Sequence, residues 1–247
     1  MGRQSARVWG ALLIVYVVWG STYLGILYAI DTIPVFLSMA IRFLLAGGLL
    51  YLFAVRRGDR DGDRIGRTQW AAAAIVGALL FVGGNSMVAW AETRVDTGVT
   101  SLLIAAVPLW MALFDRVANG QRLSRSTFVG LAVGFGGVAL LAWPSGPGRI
   151  DILGGVALLF SGMAWAAGSL YSRRAALPRR PLVNSSMQML TGGVFLLVVA
   201  AGSGELTQIG HVSLKSLLAM VYLIVFGSWI AFSAYAWLLQ TDRKSVV

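Results

Sequence analysis

The chain has 247 residues, of which 57% are hydrophobic and 12% charged, with a formal net charge of +10, no cysteine and one histidine, His211. Ordinary globular domains carry roughly 25% charged residues, so too few charges are present to cover a water-soluble surface, and disulfides, thiolate catalysis and the usual zinc ligand sets are excluded as well. The basic balance does not point to nucleic acid, because the arginines sit beside apolar runs instead of forming a stripe interleaved with exposed aromatics.

The basic segment Met1 to Arg7 leads into apolar sequence that runs on to Ile30. That stretch is longer than a signal-peptide core and has no small-residue cleavage site before Asp31, so it reads as an uncleaved first span. Seven further apolar runs follow it, each near the roughly 20 residues a helix needs to cross the hydrocarbon core. The expected spans are Val8 to Ala29, Ile33 to Val55, Trp70 to Glu92, Thr97 to Leu113, Phe128 to Trp143, Ile152 to Ser172, Val183 to Ala201 and Leu214 to Gln240. Each must be helical, since an isolated strand in lipid leaves its backbone groups unpaired. The fold class is therefore all-α, a polytopic membrane bundle of about eight transmembrane helices.

Positive charge is retained on the cytoplasmic side. Arg3 and Arg7 precede the first span, Arg56, Arg57, Arg60, Arg64 and Arg67 follow the second, and Arg116, Arg122 and Arg125 follow the fourth. Arg173, Arg174, Arg179 and Arg180 follow the sixth and Arg243 and Lys244 the eighth, whereas the opposite loops hold only Arg94, Arg149 and Lys215. Both ends of the chain are expected in the cytoplasm, with the protein multi-pass in the inner membrane.

The sequence also echoes itself. Gly168-Ser169-Leu170-Tyr171 lies 148 residues beyond Gly20-Ser21-Thr22-Tyr23, Gly192-Gly193 lies 145 beyond Gly47-Gly48, and Ser233 with Ala236-Trp237 lies 147 beyond Ser86 with Ala89-Trp90. An offset of five spans is odd, so the second copy enters the membrane from the opposite face, as in inverted-repeat carriers. The expected units are a first repeat over 1–147 and a second over 148–247. On this pattern the second copy stops where a ninth helix would begin, a C-terminal truncation lacking two helices.

Arg42 is the one ionisable residue well inside an expected span, where such a group costs roughly 2.5 to 3.5 kcal/mol. It either faces a watery cavity and attracts an anionic substrate group, or pairs structurally with a carbonyl or carboxylate. Counting about 1.5 Å per residue puts Ser21, Arg42 and Asn85 in one layer below the outer face, while Ser169 and Ser233 fall toward the inner face. Each serine has a plainer reading as a helix-packing residue bonded to its own backbone. Trp19, Tyr23, Trp90, Trp165, Tyr171, Trp229 and Trp237 are candidates to line a pocket. An interfacial belt explains the tryptophans at span ends, Trp70, Trp90 and Trp143, better than it explains the deeper Trp19 and Trp165. Pro108 interrupts the fourth span and frees a carbonyl one turn earlier, a candidate hinge. Glu92 is a candidate proton-coupling carboxylate, against a plainer placement in solvent beside Arg94.

Two apparent motifs carry no chemistry. Gly134-Phe135-Gly136-Gly137-Val138-Ala139 fits a dinucleotide pattern but follows no strand, and Asp59, Asp61 and Asp63 lack the glycine and glutamate positions of a calcium loop.

Taken together, Trp19-Gly20-Ser21-Thr22-Tyr23, Arg42-Phe43, Gly84-Asn85, Ala91-Glu92, Ala106-Val107-Pro108-Leu109 and Trp165-Ala166-Ala167-Gly168-Ser169-Leu170-Tyr171 resemble the EamA-domain permeases of the drug/metabolite transporter superfamily. The resemblance implies ten helices in two inverted five-helix repeats around a central cavity, of which this chain would hold eight. It also implies secondary transport or export of small metabolites. The residues read above give the expected substrate contacts, Trp19, Ser21, Tyr23, Arg42, Asn85, Trp165, Ser169, Tyr171 and Ser233, with gating or coupling by Glu92 and Pro108. The expected partners are a small-molecule metabolite, the lipid bilayer and a coupling proton or counter-substrate, with self-association allowed, no nucleic acid and no cofactor. Without a P-loop, ATP hydrolysis has no place in it. The competing readings are a non-transporting remnant or membrane assembly subunit, and an integral-membrane lipid-modifying transferase, against which the lack of an intramembrane histidine or paired acids argues.

Overall fold

A computed structural model describes residues 2–56, 65–119, 151–245 and short stretches between 129 and 137. Among the described residues the protein is helical throughout, and seven helices are long and apolar enough to span a bilayer. They are α1 (Gly2–Ala29), α2 (Val35–Arg56), α3 (Arg67–Ala91), α4 (Thr97–Ala118), α5 (Ile152–Arg174), α6 (Pro181–Gly202) and α7 (Leu214–Leu238). More than half of the expected span Phe128 to Trp143 lies outside the described residues, and the short stretches described within it are helical, so α5 to α7 answer to the sixth to eighth expected spans.

The helix starts follow local chemistry. Asp151 caps α5, its carboxylate accepting from the Leu153 N–H at 2.7 Å, and Ser213 caps α7, accepting from the Ser216 N–H at 3.1 Å; each satisfies a donor that the first turn leaves free. Pro181 opens α6 at a position where its missing N–H costs nothing. α4 breaks at Ala105–Ala106 and resumes at Val107. Pro108 has no N–H to offer the Ile104 carbonyl, which places the break one turn before it.

α2 and α6 form the most extensive helix pairing. Glycine permits it: a Cβ on Gly47 would lie 2.9 Å from the Leu190 backbone nitrogen, and one on Gly193 3.0 Å from that of Leu44. The seam between α3 and α6 is as tight, with a Cβ on Gly77 falling 2.6 Å from the Gln188 carbonyl oxygen. Such backbone-to-backbone approach is how helices gain contact in lipid, where no hydrophobic drive separates them from the solvent. Between these seams sits an apolar core that includes Met39, Phe43, Phe81, Met189, Leu223 and Phe232, with Phe43 and Phe81 centroids 4.3 Å apart. The large side chains turned outward are apolar too, among them Leu13, Val17, Leu49, Leu52, Val198 and Leu218. A soluble protein would hide such faces; a bilayer solvates them.

Two helices depart from α geometry midway. Ala78–Ser86 in α3 and Leu223–Ala231 in α7 are π-helical, and the second begins 145 residues after the first. π turns are rare and cluster at functional sites. These two flank the cavity.

Candidate functional site

A cavity of roughly 520 Å³ opens in the middle of the bundle, lined by residues of α1, α2, α3, α4, α5 and α7. Its size falls within the ~300–1,000 Å³ typical of small-molecule sites. Trp19 of α1 lines it, edge-on to Trp165 of α5 at 5.3 Å and 4.9 Å from the Tyr235 ring of α7. The indole N–H of Trp19 donates to the Gly227 carbonyl at 3.3 Å. Gly84 makes room for Trp165, since a Cβ there would lie 2.9 Å from the Trp165 ring.

A closed ring of hydrogen bonds fixes the far wall. The Trp165 indole N–H donates to the Tyr235 hydroxyl at 3.3 Å, and the Tyr235 and Ser169 hydroxyls are 2.5 Å apart. Ser169 donates onward to the Trp165 carbonyl at 2.7 Å. With the Ser169 proton committed there, Tyr235 must be the donor between the two hydroxyls. Both rings are thereby held in one orientation, at the wall and facing the cavity.

Arg42 supplies the only charge among the described lining residues. The residue is 3% exposed, its Nε donates to the Ser228 hydroxyl at 3.0 Å, and its guanidinium carbon lies 4.9 Å from the Phe43 ring centroid. Nη1 is buried and has no hydrogen-bond partner among the described residues. Gly227 leaves the space that the guanidinium occupies, as a Cβ there would fall 2.8 Å from Nη2. No carboxylate lines the cavity among the described residues.

The residues singled out by sequence divide between cavity and surroundings. Trp19, Tyr23, Arg42, Asn85, Pro108 and Trp165 line the cavity, which brings Arg42 and Asn85 to one chamber. Ser21 does not join them; it is exposed, bonded to the Val17 and Val18 carbonyls and 2.5 Å from the Tyr222 hydroxyl. Ser169 stands behind the wall and reaches the cavity through Tyr235, while Tyr171 is exposed on α5. Ser233 is shielded and has no hydrogen-bond partner among the described residues. Trp229 ties α7 to α2 through the Ala46 carbonyl at 2.9 Å, and neither it nor Trp90 nor Trp237 lines the cavity.

Glu92 is not solvated beside Arg94. It is 6% exposed, and neither carboxylate oxygen has a hydrogen-bond partner among the described residues. Arg94 turns away to Asp151 at 3.0 Å and lies over the Trp90 ring at 4.5 Å. The hydrogen bond from Arg94, aided by the Leu153 N–H, holds the Asp151 carboxyl below the usual carboxylate range.

Sequence reasoning missed Thr22, Ser161, Gly227, Ser228, Phe232 and Tyr235, all of which line the cavity. Ser161 donates to the Gly84 carbonyl at 3.0 Å, inside the π-helical stretch of α3. The one signal for the α7 group was a Gly-Ser pair in the middle of an apolar run.

Comparison with known proteins agrees with this architecture. The model of the EamA-like transporter family matches residues 8–143 and again 152–245. The inner membrane transporter YedA of Escherichia coli (strain K12) is 34% identical over 242 residues, covering 96% of this chain and 76% of its own length. The transporter YvbV of Bacillus subtilis (strain 168) is 24% identical over 234 residues, or 93% of this chain and 76% of its own. A solved crystal structure at 19% identity superposes with a TM-score of 0.64 over 97% of this chain and 80% of its own, a likeness of fold. A polytopic helical bundle with a mid-bundle cavity, matched by the family model over both halves, belongs to the EamA-like transporter family, a family of carriers and not of enzymes.

Proposed function

We propose that this transporter carries small amphipathic metabolites across the inner membrane by alternating access, without ATP hydrolysis. The observation that carries the reading is the cavity itself: a chamber of roughly 520 Å³ with aromatic walls and, among the described lining residues, one cationic group, set among apolar helices long enough to span a bilayer. YedA, the inner-membrane relative, supports the compartment.

In this reading Trp19, Tyr23, Asn85 and Trp165 contact the substrate, Arg42 anchors its polar end, and Ser169 positions Tyr235. Ser21, Tyr171 and Ser233 have no place at the cavity wall and drop out of the substrate contacts. Pro108 serves as the hinge of α4, and Glu92, a shielded carboxylate with no hydrogen-bond partner among the described residues, is the coupling group. Two units, 1–147 and 148–247, related by an inverted repeat, would rock about the cavity. The π-helical stretches 145 residues apart and the two separate matches to the family model support that division.

Flux of a metabolite panel into proteoliposomes tests the function. Uptake above empty vesicles is expected for at least one small amphipathic compound. Arg42→Ala should cut that flux about tenfold or more while leaving the amount of membrane-inserted protein nearly unchanged. Flux equal to that of empty vesicles across the panel would remove the transport reading, and unaltered kinetics in Arg42→Ala would remove Arg42 from the site.

A further inference from the structure

We infer that the cavity selects organic monoanions with an apolar body, and discriminates against zwitterions and cations of the same shape. The inference rests on the proposed site but not on transport, because binding alone displays it.

Arg42 is buried at the wall with Nε engaged by Ser228 and Nη1 left without a hydrogen-bond partner among the described residues. A buried cation with an unpaired N–H is costly, and an anionic group that reaches it removes the cost. The guanidinium fork matches the planar edge of a carboxylate or two oxygens of a sulfonate or phosphate. The guanidinium is also fixed at the wall, since the Ser228 bond and the space at Gly227 hold it in place.

The rest of the wall decides against positive charge. A substrate ammonium finds no carboxylate among the described lining residues and shares the chamber with Arg42. Ring faces such as that of Trp19 attract cations, but weakly when set against a like charge in the same low-dielectric space. A zwitterion gains at Arg42 and loses at its own ammonium. The aromatic cluster of Trp19, Trp165, Phe232 and Tyr235 then favours an apolar, ring-sized body.

Trp19 and Trp165 make the test direct, because ligand in the cavity alters indole fluorescence. The full chain, purified in detergent, is titrated with three probes that share one ring: benzenesulfonate, L-phenylalanine and benzyltrimethylammonium. Benzenesulfonate should bind at least about tenfold more tightly than either of the others, and Arg42→Gln should erase the preference. Should Arg42→Gln fold poorly, Ser228→Asp keeps the arginine but gives it an internal partner, and it should erase the preference as well. Equal affinities, a preference for the zwitterion or the cation, no response to any probe, or a preference that survives both variants would each overturn the inference. Counterflow of the same probes in proteoliposomes separates the two claims. Arg42-dependent anion binding without counterflow keeps the inference and counts against transport, while counterflow of phenylalanine without anion preference keeps transport and discards the inference.

Discussion

Arg42 could be found from sequence because it is an ionisable residue deep in an apolar run, and lipid penalises such a group. Ser228 was not found, since a Gly-Ser pair in an apolar run is a weak signal and its partner lies 186 residues away. Glu92 was misplaced for a related reason: an adjacent Arg94 suggests a solvated pair, yet Arg94 reaches Asp151, 57 residues on, at the start of α5. Replacing Arg42 by Met removes a buried charge with an unpaired N–H and should leave the thermal midpoint in detergent unchanged or raise it, as active-site charges commonly trade stability for function. A large drop in that midpoint would show that Arg42 is structural. The Arg94–Asp151 pair has a pH signature. Because the Asp151 carboxyl is held below its ordinary value of about 4, the pair stabilises the fold above that value and is lost as pH falls through the depressed one. Melts between neutral pH and pH 3 should therefore show a smaller acid-induced decline in Arg94→Gln than in the natural protein.

Individual helices were legible to different degrees. The break in α4 followed from Pro108, and the echo of Gly47-Gly48 in Gly192-Gly193 marked the residues at which α2, α3 and α6 meet. The π-helical stretches left no trace, because hydropathy does not distinguish a bond to the fourth residue from one to the fifth. They in turn set which side chains of α3 and α7 face the cavity, which is why Gly227, Ser228 and Tyr235 went unseen. The glycine seams have a measurable cost. Gly77→Leu should destabilise the bundle by about 1–3 kcal/mol or more, the usual penalty of overpacking, since even a Cβ would meet backbone. Gly10→Ala, with open space around it, should be neutral or stabilising by up to about 1 kcal/mol from helix propensity. Denaturation midpoints of the two variants check the contrast.

Across the whole molecule, the alternation of apolar runs and arginine-rich segments made the membrane bundle readable before any coordinates, because lipid imposes only a few solutions on a chain. How the helices would enclose a cavity was not readable, as that depends on pairings between residues far apart in the chain. The same alternation predicts topology. With no native cysteine, single replacements report it cleanly: Ala176→Cys, in the α5–α6 connection, should react with an impermeant maleimide only after the cytoplasmic face is exposed. His211→Cys, in the α6–α7 connection, should react in intact cells. Reversed labelling would overturn the orientation.

At the end of the bundle where α1 hands over to α2, the Ser213 N–H donates to the Thr32 hydroxyl at 3.1 Å, Thr32 to Ser216 at 2.8 Å, and Ser216 to the Tyr28 carbonyl at 2.8 Å. Lys215 stands 3.8 Å from Asp31 beside them. This is a latch built of hydroxyls. Each link is individually worth only ~1 kcal/mol and water can replace it, so the turn after α1 is moored to the start of α7 by several small tethers, none of which is decisive alone.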